Sequence, residues 1–229
     1  MNVLVACEES QEVCKAFRAK GHNAFSCDLV QCSGGKPHWH IQGNALDYLI
    51  PREGRYDSDT AIYFLTQDGY YQSVPKWDIL IVHPPCTYLT VTGNRWFNTE
   101  RYGEKAIERM RQRELAIDFF LAFAFADIPK ICIENPIGCM SSQYRKPDQI
   151  IQPYQFGHPM RKATCLWLKG LPKLQPTEIV EPDIYYYTAA NGRIKSDSRY
   201  RSQGKKSEWA RQRSKTFPGI ARAMAEQWG

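Results

Sequence analysis

The sequence lacks a long hydrophobic run, and this absence excludes an integral membrane protein of the helical type. No stretch of its 229 residues approaches the roughly 18 consecutive apolar residues that a membrane-spanning helix needs. The opening residues, MNVLVACEES, reach glutamates too early for a secretory signal peptide, whose apolar region runs about 7–15 residues. We therefore expect a cytoplasmic protein (in the host cell cytoplasm if phage-encoded) with no membrane partner.

A disulfide framework is also missing, although the chain has eight cysteines. Several lie in apolar runs such as VLVAC, KICIE and ATCLWL, where a thiol behaves as a small hydrophobic group. Four possible zinc ligands occur in CDLVQCSGGKPHWH: Cys27, Cys32, His38 and His40. Their spacing matches no compact structural zinc site, so we predict no metal and keep zinc as the alternative.

What the chain does contain indicates one folded domain. Apolar residues make up 43% and aromatic residues 13% of the sequence, which is typical of a globular protein. The length suits one ordinary domain with a sizeable core. The net charge of +6 permits a polyanionic partner without requiring one.

Strand and helix patterns alternate along the chain. Short apolar runs predict buried strands at Asn2 to Cys7, His22 to Asp28, Trp77 to Val82 and Lys130 to Asn135. Helical patterns cover SQEVCKAFRAKG and the long run YGEKAIERMRQRELAIDFFLAFAFAD. This alternation predicts an open, mostly parallel α/β sheet flanked by helices.

Ligand sites in such sheets lie at the carboxyl ends of the strands. Cys7, Asp28, the stretch from His83 to Cys86 and the stretch from Glu134 to Pro136 would all lie there. The stretch from Pro51 to Pro75 fits no alternation and is interpreted as an irregular insertion.

Two motifs follow consecutive predicted strands. HPPCTYL, from His83 to Leu89, follows KWDILIV, and IENP, from Ile133 to Pro136, closes the next strand after one long helix. Taken singly, the first motif is also compatible with a core cysteine after a turn. The second is compatible with an ordinary strand exit, because Asn-Pro is a turn signal.

Together these motifs resemble the C5-cytosine DNA methyltransferase family, and the chain is most similar to the short phage-encoded DNA cytosine methylases. In that family Pro-Cys holds the nucleophile and Glu-Asn holds the acid that grips the target base. The resemblance implies a Rossmann-like class I methyltransferase fold over residues 1–229, with S-adenosyl-L-methionine as cofactor and DNA as partner. It also implies that Cys86 and Glu134 are catalytic, and that the helix in TFPGIARAMAEQW returns to the cofactor site.

The chemistry explains why these residue types are needed. Carbon-5 of cytosine is a poor nucleophile until a thiolate adds to carbon-6, and cysteine suits that role. Negative charge then spreads towards N3, where an acid such as Glu134 would stabilise the transition state. Asn135 would brace the loop, prolines 84 and 85 would stiffen the backbone before Cys86, and the target base must leave its stack.

The resemblance also implies the cofactor contacts, which follow the first three strands and precede Cys86: Ala6, Cys7, Glu8, Ser10, Asp28, Leu29, Asp47, His83 and Pro84. The family has a glycine-rich loop after the first strand, but ACEESQEV has no glycine. Backbone N–H groups at the helix start near Ser10 are the expected substitute. Asp28 would bond ribose hydroxyls, and Asp47 is either the adenine-side acid or a surface acid.

Substrate contacts are expected from Pro85, Asn135, Arg161, Lys162 and Thr164, the last three in HPMRKATCLWLKGLP. Residues 171–214 form a short polar and basic segment in which tyrosines alternate with Arg and Lys. It is either a minimal target-recognition region that contacts phosphates and bases or a solvated surface loop.

Three other functions remain open. The same chemistry could act on cytosine in RNA. Amino-methyltransferases carry a [DNS]-Pro-Pro-aromatic motif at the same strand end, but His83 and Cys86 depart from that pattern. The chain could also be an inactive nucleic-acid-binding homologue, which its glycine-free first loop would favour.

Overall fold

The computed structural model describes residues 1–53, 60–189, 191–198 and 214–229, without the side chains of residues 52, 53, 197 and 198. Its helices are α1 (Glu12–Ala19), α2 (Thr99–Tyr102), α3 (Glu104–Ala124), α4 (Met140–Gln143) and α5 (Pro218–Trp228). Its strands are β1 (Asn2–Ala6), β2 (Asn23–Asp28), β3 (His40–Gln42), β4 (Arg52–Glu53), β5 (Thr60–Leu65), β6 (Tyr71–Val74), β7 (Ile79–Val82), β8 (Lys130–Pro136), β9 (Gln149–Ile151), β10 (Thr164–Lys169), β11 (Ile184–Thr188) and β12 (Ile194–Ser198).

A seven-stranded sheet in the order β3-β2-β1-β7-β8-β10-β9 forms the centre of the molecule. The five strands from β3 to β8 are parallel, whereas β10 runs antiparallel to both β8 and β9. This arrangement confirms the predicted open, mostly parallel, Rossmann-like α/β sheet flanked by helices. All four predicted strands and both predicted helices are present.

The sheet is buried on both faces because successive side chains of a strand point to opposite sides. One face, with Val3 and Val5 of β1, packs against α1 and α5. The other face, with Leu4 and Ala6, packs against α3 and the β5–β6 hairpin. Burial on both faces explains why these strands consist of nearly uninterrupted apolar residues.

The described parts of the stretch from Pro51 to Pro75, residues 51–53 and 60–75, are not irregular, which corrects the interpretation from sequence. Strands β4, β5 and β6 form a three-stranded antiparallel sheet. In β5 the side chains of Ile62 and Phe64 are buried against the main core, and Phe64 contacts Phe25 with ring centroids 4.8 Å apart. The Asp-Gly turn, in which Gly69 has a φ of 88°, is a hairpin signal that the sequence contained.

The basic segment 171–214 lies partly outside the described residues. Its described part includes the antiparallel hairpin of β11 and β12, with Arg193 in the turn and Lys195 on β12. Four basic residues expected to contact phosphates lie outside it: Arg199, Arg201, Lys205 and Lys206. In the part of the chain that the structure describes, no helix is long and apolar enough to cross a membrane.

Candidate active site

The carboxyl ends of β1, β2, β7 and β8 lie side by side at one edge of the sheet. Ala6 of β1 pairs with Cys27 on one side and Val82 on the other, and Val82 pairs with Ile133 of β8. The residues that follow these positions, including the two motifs, therefore converge at this edge. The backbone N–H of His83 continues the ladder by donating to the Ala6 carbonyl at 3.0 Å.

A cleft of about 200 Å³ opens at this edge. Six predicted site residues line it: Cys7, Glu8, Ser10, Asp28, His83 and Pro85. The remaining lining residues are Glu9 and the stretch from Ser214 to Thr216, which directly precedes α5. The C-terminal segment thus returns to this edge of the sheet, as expected from its sequence.

The first loop of the cleft is built around the buried carboxylate of Glu8. Its oxygens accept hydrogen bonds from the backbone N–H groups of Val13 at 2.6 Å and Cys14 at 3.2 Å. These N–H groups belong to the first turn of α1, where no intrahelical partner exists. They are therefore occupied by the protein itself and are not free to bind a cofactor.

Glycine reaches this loop from another part of the chain. A Cβ added to Gly34 would lie 2.5 Å from the Ser10 carbonyl oxygen and 2.6 Å from Cβ of Gln11. The backbone of Ser33 also donates to the Glu9 carbonyl at 2.8 Å. The loop after β2 thus supplies the close glycine approach that the first loop lacks.

Cys86 is the one exposed cysteine, and all eight cysteines lie in the described residues. Burial raises the pKa of Cys7 to about 12, and it also raises the pKa of the thiols of Cys14, Cys27, Cys132 and Cys165. A thiol whose anion is disfavoured in this way is a poor nucleophile. Cys86, which follows β7, is therefore the cysteine best placed to attack a substrate.

The loop that carries Cys86 is fastened to the loop that follows Glu134. The Asn135 side chain donates to the Pro84 carbonyl at 2.8 Å, the kind of contact that its predicted bracing role requires. Thr90 forms an antiparallel bridge with Gly138, where an added Cβ would lie 2.1 Å from the Leu89 carbonyl oxygen. The two motifs therefore form one unit in the folded chain.

Two arginines of α3 hold the same loop from the other side. Arg109 Nη2 donates to the Thr87 carbonyl at 2.7 Å, and Arg113 Nε donates to the Tyr88 carbonyl at 2.8 Å. The sequence motifs gave no reason to select these two residues. The signal available in the sequence was their spacing of four, which places both on one face of a helix.

His83 and Glu134 form a buried ion pair, with Nδ1 3.3 Å from Oε2. For Glu134, burial favours the neutral acid, but the hydrogen bond and charge of His83 and the charge of Lys162 outweigh it and lower the pKa. For His83, burial opposes protonation, but Glu134 and Glu8 outweigh it and raise the pKa. The proton of the pair thus resides on the imidazole.

The same imidazole faces a second buried acid. Burial raises the pKa of Glu8 to about 7, against the opposing effect of the positive charge on His83. Within the described part of the chain, His83 Nε2 and Asn135 Oδ1 are buried and have no hydrogen-bond partner. Unpaired buried polar atoms are rare in folded proteins and are a common feature of functional sites.

The other predicted site residues differ in burial and in whether they lie near the cleft or the His83–Glu134 pair. Ala6 and Pro84 are buried beneath the cleft, whereas Leu29 and Asp47 are exposed and do not line it. Lys162 is close enough for its charge to act on both Glu134 and His83. Thr164 is buried on β10 opposite Pro136, and Arg161 is exposed.

Two of the four candidate zinc ligands, Cys27 and His40, are engaged in other hydrogen bonds. His40 is buried, with Nδ1 2.8 Å from Ser26 Oγ and Nε2 2.9 Å from the Val30 carbonyl oxygen. Cys27 Sγ donates to the Gly43 carbonyl. Among the residues described, no three His, Cys, Asp or Glu side chains are grouped so that they could hold a metal ion.

Comparison with known protein families and with curated proteins finds no match for this chain. One solved structure to which it is similar is described as a candidate DNA modification methyltransferase encoded within a prophage of E. coli. The TM-score is 0.43 at 15% identity, over 79% of this chain and 52% of that one. The chain thus spans about half the length of that protein, and its function has to be inferred from its own site.

Proposed function

We propose that the chain is an S-adenosylmethionine-dependent methyltransferase that methylates carbon-5 of cytosine in DNA through a covalent bond from Cys86. The observation that carries this proposal is the joining of two motifs: the loop of the exposed Cys86 is linked to the end of β8, which carries the largely buried Glu134, by Asn135 and the Thr90–Gly138 bridge. A nucleophile and an acid held on one rigid unit can act on the same base.

The steps assigned to the protein are as follows. The Cys86 thiolate adds to carbon-6 of a base that has left its stack, and the electron pair moves towards N3. Glu134 faces N3 and delivers a proton that the His83–Glu134 pair holds, which makes carbon-5 nucleophilic. As carbon-5 takes up the methyl group, the N3 proton returns to Glu134. A water molecule then accepts the carbon-5 proton, and the electron pair of that C–H bond forms the carbon-5–carbon-6 double bond and expels the Cys86 thiolate.

The cleft at the carboxyl edge suits the cofactor. Asp28 lies at the end of β2, the position from which an acid bonds ribose hydroxyls in nucleotide-binding sheets. His83 and Pro85 line the same cleft and lead directly to Cys86. When bound, S-adenosylmethionine supplies an electrophilic methyl group. Glu8 would act indirectly, by fixing the start of α1.

The DNA side of the site would be basic. Lys162 lies near Glu134, and Arg161 is exposed beside it, so both can meet a phosphate or the target base. Pro85 and Thr164 would shape the base pocket. Arg193 and Lys195, on the β11–β12 hairpin, are further candidates for phosphate contacts.

The direct test is to identify the methylated nucleoside. Purified protein is incubated with isotope-labelled S-adenosylmethionine and either genomic DNA or total RNA, and the digested nucleosides are analysed by mass spectrometry. We expect labelled 5-methylcytosine from DNA, and none from a Cys86→Ala variant.

The other outcomes separate the alternatives. Label found only in RNA 5-methylcytosine would redirect the function to RNA. N4-methylcytosine or N6-methyladenine would indicate an amino-methyltransferase and contradict the role of Cys86. Nucleic-acid binding without any labelled product would indicate an inactive homologue.

The cofactor assignment predicts a selective loss of affinity. Asp28→Ala is expected to weaken S-adenosylmethionine binding about ten- to a hundredfold, because a hydrogen bond to a charged group contributes about 1.5–3 kcal/mol. Isothermal titration calorimetry measures this directly. Asp118→Ala, at an exposed position of α3, is the matched control and should bind as wild type. Unchanged affinity in a folded Asp28→Ala variant would remove Asp28 from the site.

A further inference from the structure

A second cavity, of about 490 Å³, lies beside the Cys86 loop and is separate from the cofactor cleft. We call it the aromatic pocket; its lining includes Tyr88, Trp96, Tyr102, Lys105 and Arg109. Trp96 is 40% exposed although it is a large apolar residue, and its ring centroid is 5.0 Å from that of Tyr102, at 47°. The Trp96 ring is thus open to solvent beside the half-buried Tyr102, and the guanidinium groups of Arg95 and Arg101 lie over the two rings at 4.6 and 5.4 Å from their centroids.

The surroundings of the aromatic pocket are positively charged. The stretch from Arg95 to Arg113 has six Arg or Lys residues and three glutamates. Glu108, the acid that lines the pocket, is already bonded to Gln112 and paired with Arg111. Lys105 makes no ion pair with any residue that the structure describes. An anionic ligand is therefore favoured over a neutral or cationic one.

Arg109 connects the aromatic pocket to the catalytic loop. Its guanidinium lies 4.9 Å from the Tyr88 ring centroid and donates to the Thr87 carbonyl, one residue after Cys86. Its Nε atom is buried and has no hydrogen-bond partner in the described part of the chain. A ligand in the pocket would thus lie against residues that directly follow the nucleophile.

We propose that the aromatic pocket binds one unstacked nucleotide that neighbours the methylated base on the same strand. The base would stack on Trp96 and Tyr102, and its phosphate would meet Lys105 and Arg109. Stacking on aromatic rings together with nearby cations is the chemistry by which proteins hold single-stranded nucleic acid. The identity of the polymer and the place of the neighbouring base rest on the proposed function; the stacking itself does not.

Binding of a single-stranded oligonucleotide tests the proposal without turnover. The probe is fluorescein-labelled oligodeoxythymidylate of twelve nucleotides, measured by anisotropy with Cys86→Ala protein so that no covalent bond forms. Stacking tolerates any base, so no recognition sequence is needed. Trp96→Ala is expected to weaken binding about 5- to 150-fold, the range that loss of one stacking residue produces.

Three further variants separate stacking from charge and from misfolding. Trp96→Phe keeps a ring and should bind within about threefold of the parent protein, a small fraction of the loss expected for Trp96→Ala. Lys105→Gln should lower the slope of log K against log salt by about 0.7, as expected for one lost single-strand phosphate contact, and Trp96→Ala should leave that slope unchanged. Tyr70→Ala, at an exposed aromatic residue of the β5–β6 turn, is the control and should bind normally.

The outcomes distinguish this proposal from the proposed function. If folded Trp96→Ala binds the probe as tightly as its parent, or if the parent does not bind, the aromatic pocket is not a nucleotide site. If Trp96→Ala loses affinity but the wild-type protein methylates neither DNA nor RNA, the nucleotide site stands and the methyltransferase assignment fails. A circular dichroism spectrum and a thermal unfolding midpoint for Trp96→Ala that match those of its parent show that a lost affinity is not due to unfolding.

Discussion

DNA in which every cytosine is replaced by 5-fluorocytosine is expected to trap the protein covalently through Cys86. Fluorine cannot leave carbon-5 as a proton does, so the thioether to carbon-6 persists after methyl transfer. Complete replacement, by polymerase synthesis with the fluorinated nucleotide, removes the need to know the recognition sequence. The complex should survive denaturing electrophoresis, and peptide mass mapping should place the nucleotide on Cys86.

Cysteine variants control this experiment. Cys86→Ser should give no adduct and lower methyl transfer by several orders of magnitude, as removal of a catalytic nucleophile does in other enzymes. Cys32→Ser, at a half-buried cysteine, should form the adduct normally. Cys132→Ser should also retain it, although a hydroxyl buried at this position in β8 would cost stability. An adduct on another cysteine, or product made by Cys86→Ser, would contradict the assignment.

The His83–Glu134 pair predicts the second large effect. Glu134→Gln should slow methyl transfer about 10²- to 10⁴-fold, because an amide cannot pass a proton to N3. His83→Gln should slow it less, because Glu134 remains. With His83 gone, burial is no longer offset by the imidazolium and the pKa of Glu134 should rise, so that Glu134 holds the proton itself.

The pH dependence follows from the directions of the two shifts. The pKa of His83 is raised above 6.5, so the rate should fall as pH rises through this raised value and the pair loses its proton. In His83→Gln the ionisation of Glu134 should set this alkaline limb instead, so the limb should shift from its wild-type position. Release of tritium from DNA labelled at cytosine carbon-5, measured from pH 5 to 10, records the alkaline limb of the wild type and of His83→Gln. Glu226→Gln, on the surface of α5, should behave as wild type; an alkaline limb unmoved in His83→Gln would exclude the pair as proton source.

The same pair makes the free energy of unfolding depend on pH. The contribution of His83 is lost as pH rises, and the contribution of Glu134 is lost as pH falls. Because the pKa of His83 is raised on folding, its contribution is complete below pH 6.5 and is lost as pH rises through the raised value. Because the pKa of Glu134 is lowered, its contribution is complete above pH 4.5 and is lost as pH falls through the lowered value. The pair therefore stabilises the fold most between these limits.

The sequence predicted the parallel strands because their side chains are buried on both faces, which leaves long apolar runs in β1, β2, β7 and β8. It also predicted that the stretches with Cys86 and Glu134 would lie at the same edge of the sheet, since they stand at the carboxyl ends of two parallel strands, β7 and β8. The hairpin of β5 and β6 was missed, although its Asp-Gly turn is a hairpin signal that the sequence contains. Strands β5 and β6 pair antiparallel, whereas the interpretation from sequence expected parallel strands that alternate with helices.

Contacts between residues far apart in the chain could not be read in this way. Nothing local to His83 specifies that its imidazole pairs with Glu134, 51 positions away, because that contact depends on the register of β7 against β8. The capping of α1 by Glu8 is closer in sequence, but it depends on the turn in which Cys7 adopts a φ of 59°. Propensity and periodicity predict which face of a helix or strand is buried. They do not predict single side-chain contacts such as these.

The position of Gly34 has a consequence for how this architecture can be changed. Loops after the first strand are natural targets for grafting between related enzymes, because each is short and bounded by a strand and a helix. Here the first loop packs against Gly34 of the loop after β2, and the space between them has no room for a larger side chain at that position. The two loops therefore have to be exchanged as a pair, and a graft of either one alone would leave its partner either overcrowded or without support.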